Sequence, residues 1–126
     1  MQVQFILYVN NQDKSTAFYT ELLGKKPVLN VPGMTEFELN SQTKLGLMPN
    51  TGIAKLFSDE IALPEKGTGI PRCELYIEVE DVDKCYDKAL QLGARSINAP
   101  QKRDWGDYVG YVMDRDGHII AFYTKK

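Results

Sequence analysis

One histidine and two cysteines are all that 126 residues offer of the side chains that most often carry metal or redox chemistry. The histidine, His118, sits beside a turn, so neither a Ser-His-Asp triad nor an ordinary histidine-rich zinc site can be assembled from it. Cys73 and Cys85 lack CxxC spacing and follow no export signal, so reduced thiols in a cytoplasmic protein are expected. Cys85 falls on a predicted helix face and reads as a buried thiol, because a nucleophilic cysteine needs a basic partner. No apolar run approaches the roughly 20 residues of a membrane helix. Val3 to Val9 is apolar but is soon broken by Asn10-Asn11-Gln12-Asp13. The formal net charge is only -2, so no basic field argues for nucleic acid. Gly67-Thr68-Gly69 lacks the Lys-Ser/Thr that completes a phosphate loop.

What is present is an ordinary globular composition, 43% hydrophobic and 25% charged, with enough chain for one compact unit or two small interdependent modules. The most informative stretch runs from Arg103 to Tyr123. Asp114-Arg115-Asp116-Gly117 between apolar runs is a strong hairpin signal, since Asp and Gly tolerate left-handed backbone. Pairing Met113 with His118 predicts that Tyr108, Gly110 and Val112 share a face with Ile119, Ala121 and Tyr123. Val109, Tyr111 and Met113 then share the other face with His118, Ile120 and Phe122.

Earlier in the chain, Met1 to Tyr8 alternates, with Val3, Phe5, Leu7 and Val9 opposite Gln2, Gln4, Ile6 and Tyr8, as in a strand. The polar cluster after it supplies helix-start chemistry. A helix is predicted from Asp13 to Leu23, with Ala17, Phe18 and Leu22 on its apolar face and Gly24 as its stop. A short strand is predicted at Pro27 to Asn30, then a hairpin of Thr35 to Asn40 and Thr43 to Met48. A two-residue turn at Ser41-Gln42 would put Phe37 and Leu39 on the opposite side of the sheet from Leu45 and Leu47. A bulge or an odd-length turn, either of which restores an apolar face and puts Glu36 and Glu38 opposite it, gives the preferred register. Pro49 to Arg72 shows little periodicity and reads as a long connection.

The opening pattern then returns. Cys73 to Glu80 alternates strictly, with Leu75, Ile77 and Val79 opposite Glu74, Tyr76, Glu78 and Glu80. Asp81 can cap a helix whose apolar face is Val82, Cys85, Tyr86, Ala89 and Leu90, and Gly93 stops it. Ala94 to Ile97 is a candidate strand. Val9 and Val79, and Asp13-Lys14 and Asp83-Lys84, stand 70 residues apart; Leu23-Gly24 and Leu92-Gly93 stand 69 apart. The chain is therefore a repeat of strand, helix and three strands, with modules at about 1–50 and 73–126 joined by 51–72. A helix covers one face of each sheet and leaves the other to be covered by something else.

Ser15-Thr16-Ala17-Phe18-Tyr19 with Leu23-Gly24, the repeated helix after Val79, and Trp105-Gly106 before Asp114-Arg115-Asp116-Gly117 resemble the vicinal oxygen chelate proteins. That superfamily comprises glyoxalase I, bleomycin-resistance proteins and extradiol dioxygenases. The resemblance covers essentially the whole chain, although the family usually has proline where Arg115 stands. It implies an α+β fold of two βαβββ modules forming a cupped mixed sheet with helices outside. In the family's metallo-enzymes, up to four ligands line the inner face. By position these places fall on Gln4, Glu74, Gly46 and Ala121. Gly46 and Ala121 have no side-chain donor, so the expectation is no metal and no cofactor.

The expected site is instead Gln4, Tyr8, Glu74, Tyr76, Glu78, Tyr108 and Tyr123, with Trp105 at the rim. Aromatic faces and carboxylates suit a flat or cationic small organic molecule. The same residues also fit a simpler reading, in which the tyrosines fill the cup and the glutamates are solvated. The leading expectation is a metal-independent small-molecule binder that acts by sequestration and is dimeric as the family commonly is, with neither nucleic acid nor membrane as partner. The alternatives are a metal-dependent lyase, isomerase or dioxygenase that recruits Glu36, Glu38 or Glu78, and a noncatalytic dimeric scaffold.

Overall fold

The computed structural model describes residues 1–125 and divides into two compact units, Met1–Thr68 and Gly69–Lys126. Each carries a four-stranded mixed sheet. In the first unit the elements are β1 (Val3–Val9), α1 (Gln12–Leu23), β2 (Leu29–Val31), β3 (Met34–Asn40), β4 (Thr43–Pro49) and α2 (Asn50–Phe57), with short 3-10 turns after α2. In the second they are β5 (Glu74–Glu78), α3 (Val82–Gln91), β6 (Arg95–Lys102), β7 (Asp107–Met113) and β8 (Ile119–Lys125). The sheet orders are β1-β4-β3-β2 and β5-β8-β7-β6, the same topology twice. In each, the first strand pairs parallel with the last and the remaining contacts are antiparallel.

The repeat extends to atomic detail at the helix starts. Asn11 Oδ1 accepts from Lys14 N at 3.0 Å, and Asp81 Oδ1 accepts from Lys84 N at 3.0 Å. Each cap satisfies an amide that a first helical turn leaves open. Gly24 and Gly93 take the positive φ of 64° and 101° expected just past a helix end.

The buried stripe of α1 differs from the expected one. It is Ser15, Thr16 and Tyr19, whereas Ala17 is exposed. A polar network pulls that side inward. Thr16 Oγ1 and Thr35 Oγ1 lie 2.9 Å apart, and Gln12 Nε2 donates to Thr35 Oγ1 and to the Val31 carbonyl. Once Thr35 fixes that contact, helix rotation follows hydrogen bonding rather than hydropathy. Leu7, Val9, Phe37, Leu45 and Leu47 form the apolar layer on this side of the sheet. The β3–β4 register shifts between Glu38 and Asn40, which pairs Phe37 with Leu45 and Glu36 with Gly46. The register preferred on hydropathy grounds is therefore present, reached through a bulge.

Two elements are longer or more regular than the sequence suggests. The connection holds α2, which buries Ile53. Strand β6 runs from Arg95 to Lys102 straight through Pro100, with register shifts on the way. Proline is tolerated there because β6 is an edge strand and bulged. The Pro100 ring packs where a side chain at Gly110 would be: a Cβ on Gly110 would stand 2.8 Å from Pro100 Cγ and 3.2 Å from Tyr86 Cδ2.

The last hairpin corrects the expected register. Met113 pairs with Ile119, Tyr111 with Ala121, and Val109 with Tyr123. The turn spans five residues, Asp114 to His118. Asp114 Oδ1 accepts from the amides of Asp116 (2.9 Å) and His118 (2.8 Å), and Asp114 N donates to the His118 carbonyl at 2.9 Å. One extra turn residue moves β7 by one position against β8, and every β7 side chain changes face relative to β8. Gly110 and Val112 lie with Ile120 and Phe122 on the α3 side, while Val109, Tyr111 and Met113 lie with Ile119, Ala121 and Tyr123 on the opposite side.

The two glycines facing close neighbours should respond differently to alanine. Gly110→Ala drives a methyl into two stiff rings and is expected to cost about 1–3 kcal/mol. Gly46→Ala meets mainly Gln4 Nε2, the end of a flexible side chain, and is expected to cost less. Denaturant melts of the two variants check this; equal stability of Gly110→Ala and the wild type would contradict the packing.

Candidate functional site

Strand pairing places Glu74, Tyr76 and Glu78 beside Ile119, Ala121 and Tyr123 on the face of the second sheet away from α3. The Tyr76 and Tyr123 rings stack with centroids 4.4 Å apart and planes 26° from parallel. Such a pair contributes roughly 0.5–1.5 kcal/mol beyond its buried area. A hydrogen-bond chain crosses it. Trp105 Nε1 donates to Tyr76 Oη at 2.8 Å, and Tyr76 Oη donates to Asp107 Oδ2 at 2.8 Å. Asp107 is buried, and its other oxygen lies 3.6 Å from Lys125 Nζ. Trp105 itself remains 59% exposed and Tyr76 37% exposed, so a large aromatic surface stays accessible.

The turn that carries Trp105 is locally determined. Arg103 N donates to the Asp107 carbonyl at 2.8 Å and Gly106 N to the Arg103 carbonyl at 3.0 Å. Gly106 adopts φ 97°, which a side chain would resist. The Arg103 guanidinium then folds back over the Tyr111 ring, 5.2 Å from its centroid.

Burial is the main cause that pushes the Tyr76 phenol up; the Trp105 hydrogen bond opposes it and Asp107 adds to it. Tyr111 is also pushed up, first by burial and then by the Glu74 carboxylate. Both therefore stay neutral hydrogen-bonding groups around neutral pH. Burial likewise raises the Cys85 thiol, which keeps it protonated and a poor nucleophile.

Five of the expected site residues, Glu74, Tyr76, Glu78, Trp105 and Tyr123, therefore belong to one region of the second unit. Tyr108 does not. It pairs with Thr124 on the α3 side, and its hydroxyl donates to Asp83 Oδ1 at 2.7 Å. That bond is the main reason its phenol is raised. Tyr111 takes the place expected of Tyr108. Arg103, Asp107, Tyr111 and Lys125 are components that hydropathy did not single out. A five-residue turn would have revealed Tyr111, whereas the Asp107 and Arg103 contacts carry no local signature.

Gln4 and Tyr8 lie in the first unit, on the sheet face away from α1, with Ile6, Lys44, Gly46 and Met48. Glu36 joins them through its pairing with Gly46 and forms an ion pair with Lys44 at 3.6 Å. Gln4 fills the space that a side chain at Gly46 would take, and its Nε2 is buried with no hydrogen-bond partner.

Comparison with known proteins agrees with this architecture. The model of the Glyoxalase/Bleomycin resistance protein/Dioxygenase superfamily matches residues 2–122, and the chain belongs to that family. It is 32% identical over 124 residues to YraH, an uncharacterised protein of Bacillus subtilis, covering 96% of this chain and 95% of YraH. It is 26% identical over 116 residues to the metallothiol transferase FosB of Lysinibacillus sphaericus, covering 92% and 76% of the two chains. The crystal structure of a glyoxalase-related enzyme from Fulvimarina pelagi shares the fold, with a TM-score of 0.82 at 21% identity, covering 98% of this chain and 86% of that one.

A resident metal would need donors at the family's four places. Gly46 offers no side chain and the carboxamide of Gln4 occupies its space; Ala121 is fully buried and offers only a methyl. Among the described residues, neither unit gathers three His, Cys, Asp or Glu side chains that could hold a metal ion. The donor set does not fit a chelating centre at these places. Among the described residues, no helix is long and apolar enough to cross a membrane.

Raised phenols tie stability to alkaline pH. A folded-state pKa above the unfolded value of about 10 contributes stability that is complete below pH ~10 and lost as pH rises through the folded value. Tyr76→Phe should therefore remove a late-ionising component from the phenolate absorbance titration and flatten the fall in melting temperature above pH ~10. Tyr76 ionising with free tyrosine would contradict the burial argument.

Proposed function

We propose that this chain is a small-molecule-binding member of its family that works without a metal and sequesters a flat organic ligand. The observation that carries the reading is the accessible aromatic surface of Trp105, Tyr76 and Tyr123, locked in place through Asp107. Rings held by stacking and hydrogen bonds lose little freedom on binding, which favours affinity for a planar partner. Glu74 and Glu78 flank the surface and suit a cationic or hydrogen-bond-donating group on that ligand. Tyr111 joins the contact surface of the second unit; Gln4 and Tyr8, on the open face of the first unit, are taken by themselves as candidate ligand contacts there. Function as a homodimer in the cytoplasm completes the reading.

The competing reading is a metal-dependent enzyme, and the similarity to a protein named metallothiol transferase favours it. The donor chemistry at Gly46 and Ala121 weighs against it. Two measurements on purified protein separate the readings. Chelator-treated protein should be stabilised by planar aromatic compounds in a thermal-shift screen, and Tyr76→Ala should lose most of that shift. Stoichiometric bound metal that disappears in Glu74→Ala would overturn the metal-free reading. A screen without hits, in the presence or absence of metal, would leave a noncatalytic scaffold.

A further inference from the structure

Arg103 is the most unusual charged group in the second unit. Its side-chain hydrogen bonds all leave from Nη2, to Asn98 Oδ1 (3.0 Å), the Ala99 carbonyl (3.3 Å) and the Val109 carbonyl (2.9 Å). Every one of these acceptors is neutral. Nε is shielded from solvent and has no partner. The ion pairs among the described residues are Lys44–Glu36 and Lys125–Asp107, so the Arg103 charge is not matched by a carboxylate in contact. Three neutral bonds would hold a strap across the β6 bulge, but they do not require a cation. A partly buried, unmatched cation is costly unless an anion meets it at some stage. With Nη2 engaged and Nε shielded, Nη1 is the guanidinium nitrogen left to meet an anion, and the Nη2 bonds fix its position before any ligand arrives.

Tyr111 is its neighbour on the same face. Its phenol, held neutral, is a hydrogen-bond donor, and no hydrogen bond engages it among the described residues. Glu74 on β5 and Asp107 at the start of Tyr111's own strand act electrostatically on Tyr111. Asp107 is already matched by Lys125 and Tyr76. Glu74 is exposed, and a ligand reaching it would turn a donor or cationic end that way.

We propose that Arg103 and Tyr111 form an oxyanion subsite, so that the ligand is a planar organic molecule bearing a carboxylate or phosphate group. This rests on the reading of the aromatic surface as a ligand site and adds the ligand's chemical class. The aromatic part lies against Tyr76 and Trp105, and the oxyanion is received by the guanidinium and the phenol.

Trp105 is the sole tryptophan, which makes its fluorescence a direct reporter. Phenyl phosphate, phenylacetate and benzyl alcohol are titrated into the wild type, Arg103→Lys and Arg103→Met, with melting temperature checked for each. At least one of the two anions is expected to bind about tenfold more tightly than benzyl alcohol, and which one does so identifies the anionic group. Arg103→Met should erase that preference, and Arg103→Lys should keep part of it. Equal affinity for all three compounds, or a preference that survives in Arg103→Met, overturns the proposal. A second readout is the Arg103 Nε–H resonance of the wild type titrated with inorganic phosphate. A saturable shift supports the subsite, and an unmoved resonance overturns it. This readout decides the matter if Arg103→Met does not fold. It also decides if no aromatic compound binds, an outcome that would sink the aromatic site without touching the oxyanion test.

Discussion

The organisation of the second unit depends on one carboxylate. Asp114 is buried at the end of β7 and accepts two backbone amides across a five-residue turn. Those bonds set the β7–β8 register, and the register decides which tyrosines face α3 and which face away. Because side chains alternate with period two, a turn one residue shorter would put Tyr108 where Val109 now lies and Gly110 where Tyr111 now lies on the aromatic face, and would move Val109 into the place of Gly110. Gly110 on the α3 side is equally necessary, since it makes room for the Pro100 ring on the bulged edge strand.

The first unit reaches the same topology by different chemistry. Its helix docks through Gln12, Thr16 and Thr35, a hydroxyl and amide network, whereas α3 docks through Val82, Tyr86 and Ala89. Its open face carries an ion pair and the unpartnered amide of Gln4, while that of the second unit carries stacked rings. The two units share the scaffold, and their open faces are chemically distinct. Where related metallo-enzymes require donors, this chain has a glycine whose space is filled and a sealed alanine.

Much of this architecture was legible in the sequence because it rests on short-range signals. Alternation in β1 and β5, the caps at Asn11 and Asp81 and the stops at Gly24 and Gly93 are all local, and together they expose the repeat. The β3–β4 register was also legible, since apolar matching required a bulge or an odd-length turn, and a bulge brings Phe37 opposite Leu45. What was not legible depends on partners distant in sequence. The rotation of α1 is set by Thr35, the continuation of β6 through Pro100 by Gly110, and the length of the last turn by Asp114 side-chain bonds that an Asp-Gly pair does not announce. The aromatic site divides in the same way. Tyr76, Tyr123 and Trp105 follow from alternation and resemblance, whereas Asp107, Arg103 and Tyr111 emerge only once the register is known.

The central claim is that the aromatic face of the second unit takes a planar ligand without metal. The most direct measurement is a carbon-13 correlation spectrum of tyrosine-labelled, chelator-treated protein titrated with a planar aromatic compound that stabilises it. The account expects the ring signals of Tyr76, Tyr111 and Tyr123 to move together while Tyr108 and the buried Tyr19 stay still. Movement of Tyr108 without the other three, or no response until a metal ion is added, would contradict it.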